Sequence, residues 1–226
     1  MSISEKLSGL PFQKGYQPEY YSGIKDWFND IYRPLLKAKD RYHKLFPLKV
    51  FFLNAKIPAD LIMEGAIESD ENILLTGAGG GVSIRGAAFE IQRITAGKGK
   101  LAVIDKSSDS FLNSENIKIK FPSVEMSIAD MTSLPFPSDY FDTIIGDLVY
   151  SYIDPEFRAG AVKSVARVLK PAGKVFWTVT ENNVVELMDL FHQTGLQTEQ
   201  RQLSSMFLLT PKPRIKNYIL VTGIKT

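Results

Sequence analysis

Four glycines between residues 77 and 81 form the first candidate ligand site of the chain. The stretch ILLTGAGGGVSIRG (residues 73–86) leads from an apolar segment through this turn into a helical pattern. A strand, a glycine-rich turn and a helix in this order hold nucleotides in Rossmann-type folds. The dinucleotide fingerprint G-x-G-x-x-G fails at Val82, whereas G-x-G-x-G fits Gly77, Gly79 and Gly81. Glycines also occur where a turn simply needs a positive φ, so these residues alone leave ligand binding and plain turn geometry equally open.

Carboxylates at the ends of predicted strands form the second candidate feature. The segment KLAVID ends in Asp105, which follows Gly81 by 24 residues. A carboxylate at this distance accepts hydrogen bonds from both hydroxyls of an adenosine ribose. Asp130 and Asp147 end two later apolar segments. Ligands of open α/β sheets bind outside the carboxyl ends of the strands, so we expect the site there.

Strands and helices are predicted to alternate along the part of the chain that contains these residues. Strands are predicted at residues 72–77, 100–105, 124–130, 141–147 and 173–180, and helices at 82–94, 159–170 and 182–195, the last ended by Gly195. Residues 206–224 read as two strands around a turn rich in proline and lysine, hence a hairpin. The pattern predicts an α/β, Rossmann-like, doubly wound and mostly parallel sheet of about seven strands, with an antiparallel C-terminal edge.

Composition excludes several classes of protein. The chain has 226 residues, 44% of them hydrophobic and 23% charged, which fits one soluble domain. It has no cysteine and only two histidines, His43 and His192, so no metal site is expected. No apolar run reaches transmembrane length and no export signal is visible, which predicts a cytoplasmic protein. Residues 61–200 carry 12 Lys and Arg against 19 Asp and Glu, and no basic cluster indicates nucleic-acid binding.

The order of the motifs resembles the class I S-adenosylmethionine-dependent methyltransferases, in the type 11 branch that includes quinone-biosynthesis C-methyltransferases. That branch has a glycine-rich turn, a ribose-binding acid, an Asp-x-x-x-Leu-Pro-Phe segment followed by Phe-Asp, and an Arg-Val-Leu-Lys-Pro-Gly-Gly turn. Here the later motifs are Asp130 with residues 134–136, then Phe141 and Asp142, then residues 167–173. The resemblance covers roughly residues 58–185 and is far more specific than the glycines.

The resemblance implies a role for each matching residue toward S-adenosylmethionine, with S-adenosylhomocysteine as product. Asp105 would bind the ribose, Lys106 and Ser107 would line the adenine side, and Asp130 would accept a hydrogen bond from the adenine amino group. Met131 would supply an N–H and an apolar face. The implied cofactor-binding set is Gly77, Ala78, Gly79, Gly81, Asp105, Lys106, Asp130, Met131 and Asp147. Phe136, Phe141 and the segment 167–171 are interpreted as scaffold.

Leu75 departs from the family pattern. An acidic residue usually stands two positions before the first motif glycine and holds the methionine amine, and the family register would point this side chain toward the cofactor tail. A leucine there leaves the amine without its carboxylate, which should weaken binding unless Asp147 compensates. A degenerate methyltransferase fold that acts as a non-catalytic binding partner is therefore the alternative to an enzyme. Ala172 replaces the first glycine of the last motif, which we expect to be harmless.

The acceptor is predicted to be a small molecule with an O, N or C nucleophile, methylated by in-line displacement without a metal. Its candidate contacts are Leu148 and Tyr150 after the fourth strand, together with Tyr20 and Tyr21 in an N-terminal helical lid. The lid is assigned to residues 1–57 and the methyltransferase domain to residues 58–226. No catalytic side chain, methyl acceptor or oligomeric state follows from the sequence. An NAD-dependent oxidoreductase is disfavoured by Val82 and by the lack of a catalytic Tyr-x-x-x-Lys.

Overall fold

A computed structural model of the chain describes residues 67–68, 70–77, 99–107, 111, 124–202 and 218–226. Within these residues seven strands form one sheet: β1 (Asn72–Thr76), β2 (Lys100–Asp105), β3 (Val124–Ile128), β4 (Phe141–Asp147), β5 (Leu169–Thr180), β6 (Leu196–Gln202) and β7 (Tyr218–Lys225). Two α-helices accompany them, α1 (Pro155–Val168) and α2 (Val184–Gln193). The predicted helix 82–94 and lid 1–57 lie outside the described residues, as do Ala78, Gly79, Gly81, Tyr20 and Tyr21.

The spatial order of the strands is β3-β2-β1-β4-β5-β7-β6. The pairs β1–β2, β2–β3, β1–β4 and β4–β5 are all parallel, whereas β7 runs antiparallel to both β5 and β6. The strand order reverses beside β1, which is the point where ligands bind in open α/β sheets. The predicted mostly parallel sheet with an antiparallel C-terminal edge is confirmed.

The hairpin at the C-terminal edge begins earlier than the sequence predicts. Its first strand is β6, which starts at Leu196 directly after Gly195, whose φ is +81°. Residues 203–217, which contain the predicted first strand from residue 206, lie outside the described residues. β6 reads LQTEQRQ and is exposed at most of its positions. An edge strand of this kind carries polar side chains on both faces, so it lacks the alternation that reveals a half-buried strand.

The two helices differ in what their sequences show. α1 has Pro155 in its first turn and Arg167 in its last, and it begins four residues before the predicted start. α2 buries Leu187 and Phe191 on the face that meets the sheet. Within the described residues no helix is long and apolar enough to span a membrane.

The core of the described region lies between one sheet face and the two helices. Its largest fully buried side chains include Trp177 of β5 and Phe191 of α2, which contact each other with ring centroids 5.6 Å apart. Every residue of β1 and β2 after the first is buried as well, as expected for a parallel sheet whose two faces are apolar.

Leu75 belongs to this buried interior. It is 3% exposed and is paired with Val103 of β2 and Ile145 of β4. These partners lie beside Leu75 in the sheet and do not fix which sheet face its side chain meets, so the expectation that it faces the cofactor tail stays a prediction.

Candidate functional site

Gly77 begins the turn that follows β1, and two observations require glycine there. Its φ is +79°, a conformation that L side chains rarely adopt. A Cβ atom at this position would lie 3.2 Å from Cγ2 of Val149, in the turn after β4. The Gly77 N–H donates to the carbonyl of Ile104 at 2.9 Å, which joins the turn to β2. The turns after β1 and β4 therefore meet at the point where the strand order reverses.

Asp105 is held firmly at the end of β2. The residue is 7% exposed, and Oδ1 accepts a hydrogen bond from the Ser107 N–H at 2.8 Å. Its carbonyl accepts from the Ala129 N–H at 3.0 Å, so the chain beyond β3 lies directly beside it. An aspartate that bonds the backbone two residues on fixes its own carboxylate orientation.

Asp130 lies in the next position along the same edge. Oδ1 accepts from both the N–H and the hydroxyl of Thr132, each at 2.8 Å, and caps the short 3-10 turn Met131–Ser133. Oδ2 lies 3.4 Å from Nζ of Lys106. Burial alone would raise the pKa of Asp130, but the Thr132 hydrogen bonds and Lys106 outweigh it and the pKa is lowered. The sequence predicted Lys106 and Asp130 for one site, and the fold brings them together.

Met131 follows Asp130 in the short turn. Its side chain is half-buried and packs against the hydrophobic core below the sheet edge. The apolar contact that the structure shows for Met131 is therefore with the protein interior.

Asp147 ends β4 on the other side of Gly77. Its Oδ1 accepts a short 2.5 Å hydrogen bond from the hydroxyl of Thr178, its partner on β5. The same hydroxyl accepts from the Leu148 N–H at 2.9 Å. Burial raises the pKa of Asp147. The Thr178 hydrogen bond lowers this pKa by a smaller amount, so the pKa is raised overall. Among the described residues, no donor contacts Oδ2.

Leu148 and Tyr150 follow Asp147 but occupy different environments. Leu148 is half-exposed and has a φ of 57°, which is unusual for a residue other than glycine. Tyr150 is fully buried, with its ring 5.9 Å from Trp177 and the Arg158 guanidinium 5.0 Å from its centre. The structure thus corrects the placement of Tyr150 at the acceptor rim. In the 3-10 turn Val149–Tyr152, Tyr150 points inward and Tyr152, which is 51% exposed, lies outside.

Thr178 and Val149 are site residues that sequence reasoning missed. Thr178 is 1% exposed and interrupts the apolar run VFWTV of β5. A polar residue in a fully buried strand needs a hydrogen-bond partner, and that was the available signal. Val149 gave no signal, because its contact with Gly77 arises only when β4 pairs with β1.

The remaining family motifs contact one another near the amino ends of the strands, opposite the candidate site. Arg167 donates to the carbonyls of Phe136 and Leu134, both at 2.7 Å. Lys170 binds the Asp142 carboxylate at 2.7 Å, and Asp142 also accepts from the Asn72 N–H that begins β1. The interpretation of Phe136 and of segment 167–171 as scaffold is confirmed by these contacts.

Phe141 is scaffold as well. It is 1% exposed and packs edge-on against Phe136, with ring centroids 4.8 Å apart.

A surface groove of about 510 Å³ lies at the C-terminal ends of α1 and α2, away from the strand ends described above. Two of its cations, Arg167 and Lys225, are occupied by backbone carbonyls. Lys225 also binds Asp139 at 2.7 Å. These contacts stabilise the end of α1, so the groove is part of the scaffold. In the described residues no cluster of three or more metal-binding side chains occurs.

Comparison with known proteins gives a family match for part of the chain and structural relatives for most of it. Residues 74–177 match the family described as "Methyltransferase domain" of type 11. The ubiquinone/menaquinone biosynthesis C-methyltransferase UbiE of Chromobacterium violaceum is 39% identical over 51 residues, which is 23% of this chain and 20% of that protein. The matched segment thus spans about a fifth of the length of this curated relative.

Solved structures share the fold over most of the chain. A S-adenosylmethionine-dependent methyltransferase from Aquifex aeolicus superposes with a TM-score of 0.61 at 15% identity, covering 83% of this chain and 98% of that chain. The N-methyltransferase NodS from Bradyrhizobium japonicum, in complex with S-adenosylhomocysteine, gives 0.59 at 14% identity, covering 76% and 85%. At these identities the likeness establishes the fold, which is the class I Rossmann-like methyltransferase fold. The family match covers residues 74–177, which is a little under half of the chain.

Proposed function

We propose that the protein binds S-adenosylmethionine along the carboxyl edge of β3, β2, β1 and β4 and transfers its methyl group to a small-molecule acceptor. The observation that carries this proposal is the spatial order along that edge: Asp130, Asp105, Gly77 and Asp147. Asp130 and Asp147 are separated by three strand spacings of about 4.8 Å each, which gives a span of roughly 14 Å. An adenine, a ribose and an amino-acid tail fit this line in the same order.

The charges along this edge favour a cationic ligand over a pyrophosphate. Three carboxylates follow the strands, and Lys106 is the one cation that the described residues place beside them. S-adenosylmethionine carries a sulfonium and an ammonium, whereas the pyrophosphate of NAD would meet Asp147 beside the Gly77 turn. The negative charges of the pyrophosphate and of Asp147 would repel each other, so the electrostatics support S-adenosylmethionine as the ligand.

Each residue has a defined task in this proposal. Gly77 has no side chain, so the ligand can approach the backbone of the turn closely. Asp105 accepts hydrogen bonds from the ribose, Oδ2 of Asp130 accepts from the adenine amino group, and Oδ2 of Asp147 binds the tail ammonium. When bound, S-adenosylmethionine supplies an activated methyl on a sulfonium. Holding the acceptor in line with that methyl supplies most of the acceleration, so the protein needs no nucleophile of its own.

Isothermal titration with S-adenosylhomocysteine, S-adenosylmethionine and NAD tests the proposal. We expect both sulfur compounds to bind and NAD not to compete. Asp105→Ala should weaken S-adenosylhomocysteine by about 10- to 150-fold, the equivalent of about 1.5–3 kcal/mol for hydrogen bonds to a charged acceptor. Asp105→Asn retains an acceptor for the Ser107 N–H but removes the charge. This variant therefore distinguishes the contribution of the charge to binding from the contribution of the local turn. Glu199→Gln, on exposed β6, is the matched charge control. NAD binding with no sulfur-compound binding would refute the proposal.

A non-catalytic binding subunit with the same fold is the second candidate, and Leu75 is the observation that favours it. This candidate predicts that wild type shows no binding of S-adenosylhomocysteine at millimolar concentration. The small-molecule acceptor, the cytoplasmic location and the contacts of Leu148, Tyr20 and Tyr21 remain predictions of the sequence.

A further inference from the structure

We propose that Thr178 is a positioning residue, whose hydroxyl fixes Asp147 so that one carboxylate oxygen is directed to a primary ammonium. This inference rests on the proposed function, since the ammonium is that of the methionine tail. Thr178 itself would touch neither the ligand nor the reacting atoms.

The hydrogen bonds around Thr178 run in one direction. The Leu148 N–H donates to the Thr178 hydroxyl oxygen at 2.9 Å and to its carbonyl at 3.1 Å. The hydroxyl has a single proton, and the 2.5 Å contact directs it to Oδ1 of Asp147. Because no donor among the described residues contacts Oδ2, that oxygen remains for a ligand.

The hydroxyl is not needed for packing. Thr178 is 1% exposed inside a strand whose neighbours are Trp177 and Val179, and valine has nearly the same shape. A buried hydroxyl in such a strand is costly unless it is hydrogen-bonded, and here it makes two bonds, both toward the turn after β4. The Thr178 bond also lowers the pKa of Asp147 against the opposing effect of burial, which favours the ionised form that an ammonium requires.

The same hydroxyl orders the turn that meets Gly77. Leu148 has a left-handed backbone, and its N–H is held by Thr178 in that conformation. The next residue, Val149, lies beside Gly77, where an added Cβ would be 3.2 Å from its Cγ2. Thr178 thus links the ammonium-binding carboxylate to the turn on which the ligand tail would lie.

Two variants and two ligands test this role. Thr178→Val removes the hydroxyl, and Thr178→Ser retains it. The first ligand is S-adenosylhomocysteine, and the second is methylthioadenosine, which has no amino-acid tail. We expect Thr178→Val to weaken S-adenosylhomocysteine about tenfold and to leave methylthioadenosine unchanged, while Thr178→Ser stays within about twofold of wild type. If the valine variant does not fold, Thr178→Cys, with only a weak donor, takes its place.

A double-mutant cycle with Asp147→Asn separates positioning from a general structural effect. If Thr178 acts through the Asp147 charge, Thr178→Val should add little to the loss already caused by Asp147→Asn. Equal loss of both ligands, full additivity, or no loss in Thr178→Val would overturn the inference while leaving the proposed function intact. Failure of wild type to bind S-adenosylhomocysteine would overturn both.

Discussion

Asp147→Asn should have opposite effects on ligand affinity and on the stability of the free protein. Asparagine keeps an oxygen that accepts from Thr178 but carries no charge for the tail ammonium. A charge-assisted hydrogen bond contributes about 1.5–3 kcal/mol, so the variant should bind S-adenosylhomocysteine about 10- to 150-fold more weakly. Methylthioadenosine, which lacks the ammonium, should bind as before. Titration calorimetry with both ligands measures the difference.

The stability effect follows from the direction of the pKa shift. Burial raises the pKa of Asp147 in the folded protein, so the folded state binds a proton that the unfolded state releases over the range between the two pKa values. Through this group, the free energy of unfolding falls as pH rises through that range. At neutral pH the buried charge therefore costs stability, and Asp147→Asn should melt at a higher temperature than wild type in the absence of ligand. At acid pH the difference should disappear.

The pH dependence of binding has the same origin. S-adenosylhomocysteine affinity should decline as pH falls through the raised pKa of Asp147, and Asp147→Asn should lack this acid limb. Tight wild-type binding that is unchanged in Asp147→Asn would show that backbone carbonyls or water hold the amine. In that case the compensation for Leu75 assigned to Asp147 is wrong.

Three substitutions test the surrounding scaffold. Gly77→Ala should abolish tight S-adenosylhomocysteine binding in titrations. Gly195→Ala is the control, because Gly195 has a similar φ of +81° but open space where the Cβ would be added, so this variant should lose only stability. Equal binding by both variants would contradict the close approach of residue 77 to Val149. Ala172→Gly should raise the melting temperature by about 2–4 °C, because the φ of 62° at Ala172 costs about 1–2 kcal/mol. The greater entropy of glycine in the unfolded chain offsets part of this gain. An unchanged melting temperature would argue against strain at Ala172. Leu75→Asp should lower the free energy of unfolding by several kcal/mol, since the new carboxylate would be buried between apolar strands. Unchanged stability of this variant would show that the position is open to solvent.

Ala172 occupies the left-handed conformation in which glycine is favoured. The expectation that alanine is harmless at this motif position stays a prediction, which the melting temperature of Ala172→Gly tests. The following Gly173 is the stricter position, because a Cβ there would lie 2.8 Å from the Lys170 carbonyl.

Most of the motif signal that identifies this family comes from residues that hold the fold. Arg167 fastens the Leu-Pro-Phe segment through two carbonyls, and Asp142 joins the start of β1 to Lys170. These contacts need particular side chains at particular spacings, so they leave a strong pattern in sequence. The cofactor turn at Gly77 needs mainly the absence of a side chain, which is a weaker pattern.

Sequence alone was enough to predict the parallel strands, the boundaries of α1 and α2 to within four residues, and the glycine and acidic residues at the ends of β1, β2 and β4. These features depend on local chemistry: apolar runs form buried strands, and a positive φ selects glycine at residues 77 and 195. Strand ends were predictable because polar residues resume where burial stops. The polar edge strand β6 was missed because burial does not constrain its sequence.

Which side chains meet across strands depends on the tertiary fold. The inward direction of Tyr150, the burial of Leu75 and the bond from Thr178 to Asp147 all depend on register between β1, β4 and β5. Residues 147 and 178 are 31 positions apart, and no local rule relates them. Pairing of distant strands is set by packing of the whole sheet, so the environment of the Asp147 carboxylate, and with it the chemistry of the site, arises only when the chain folds.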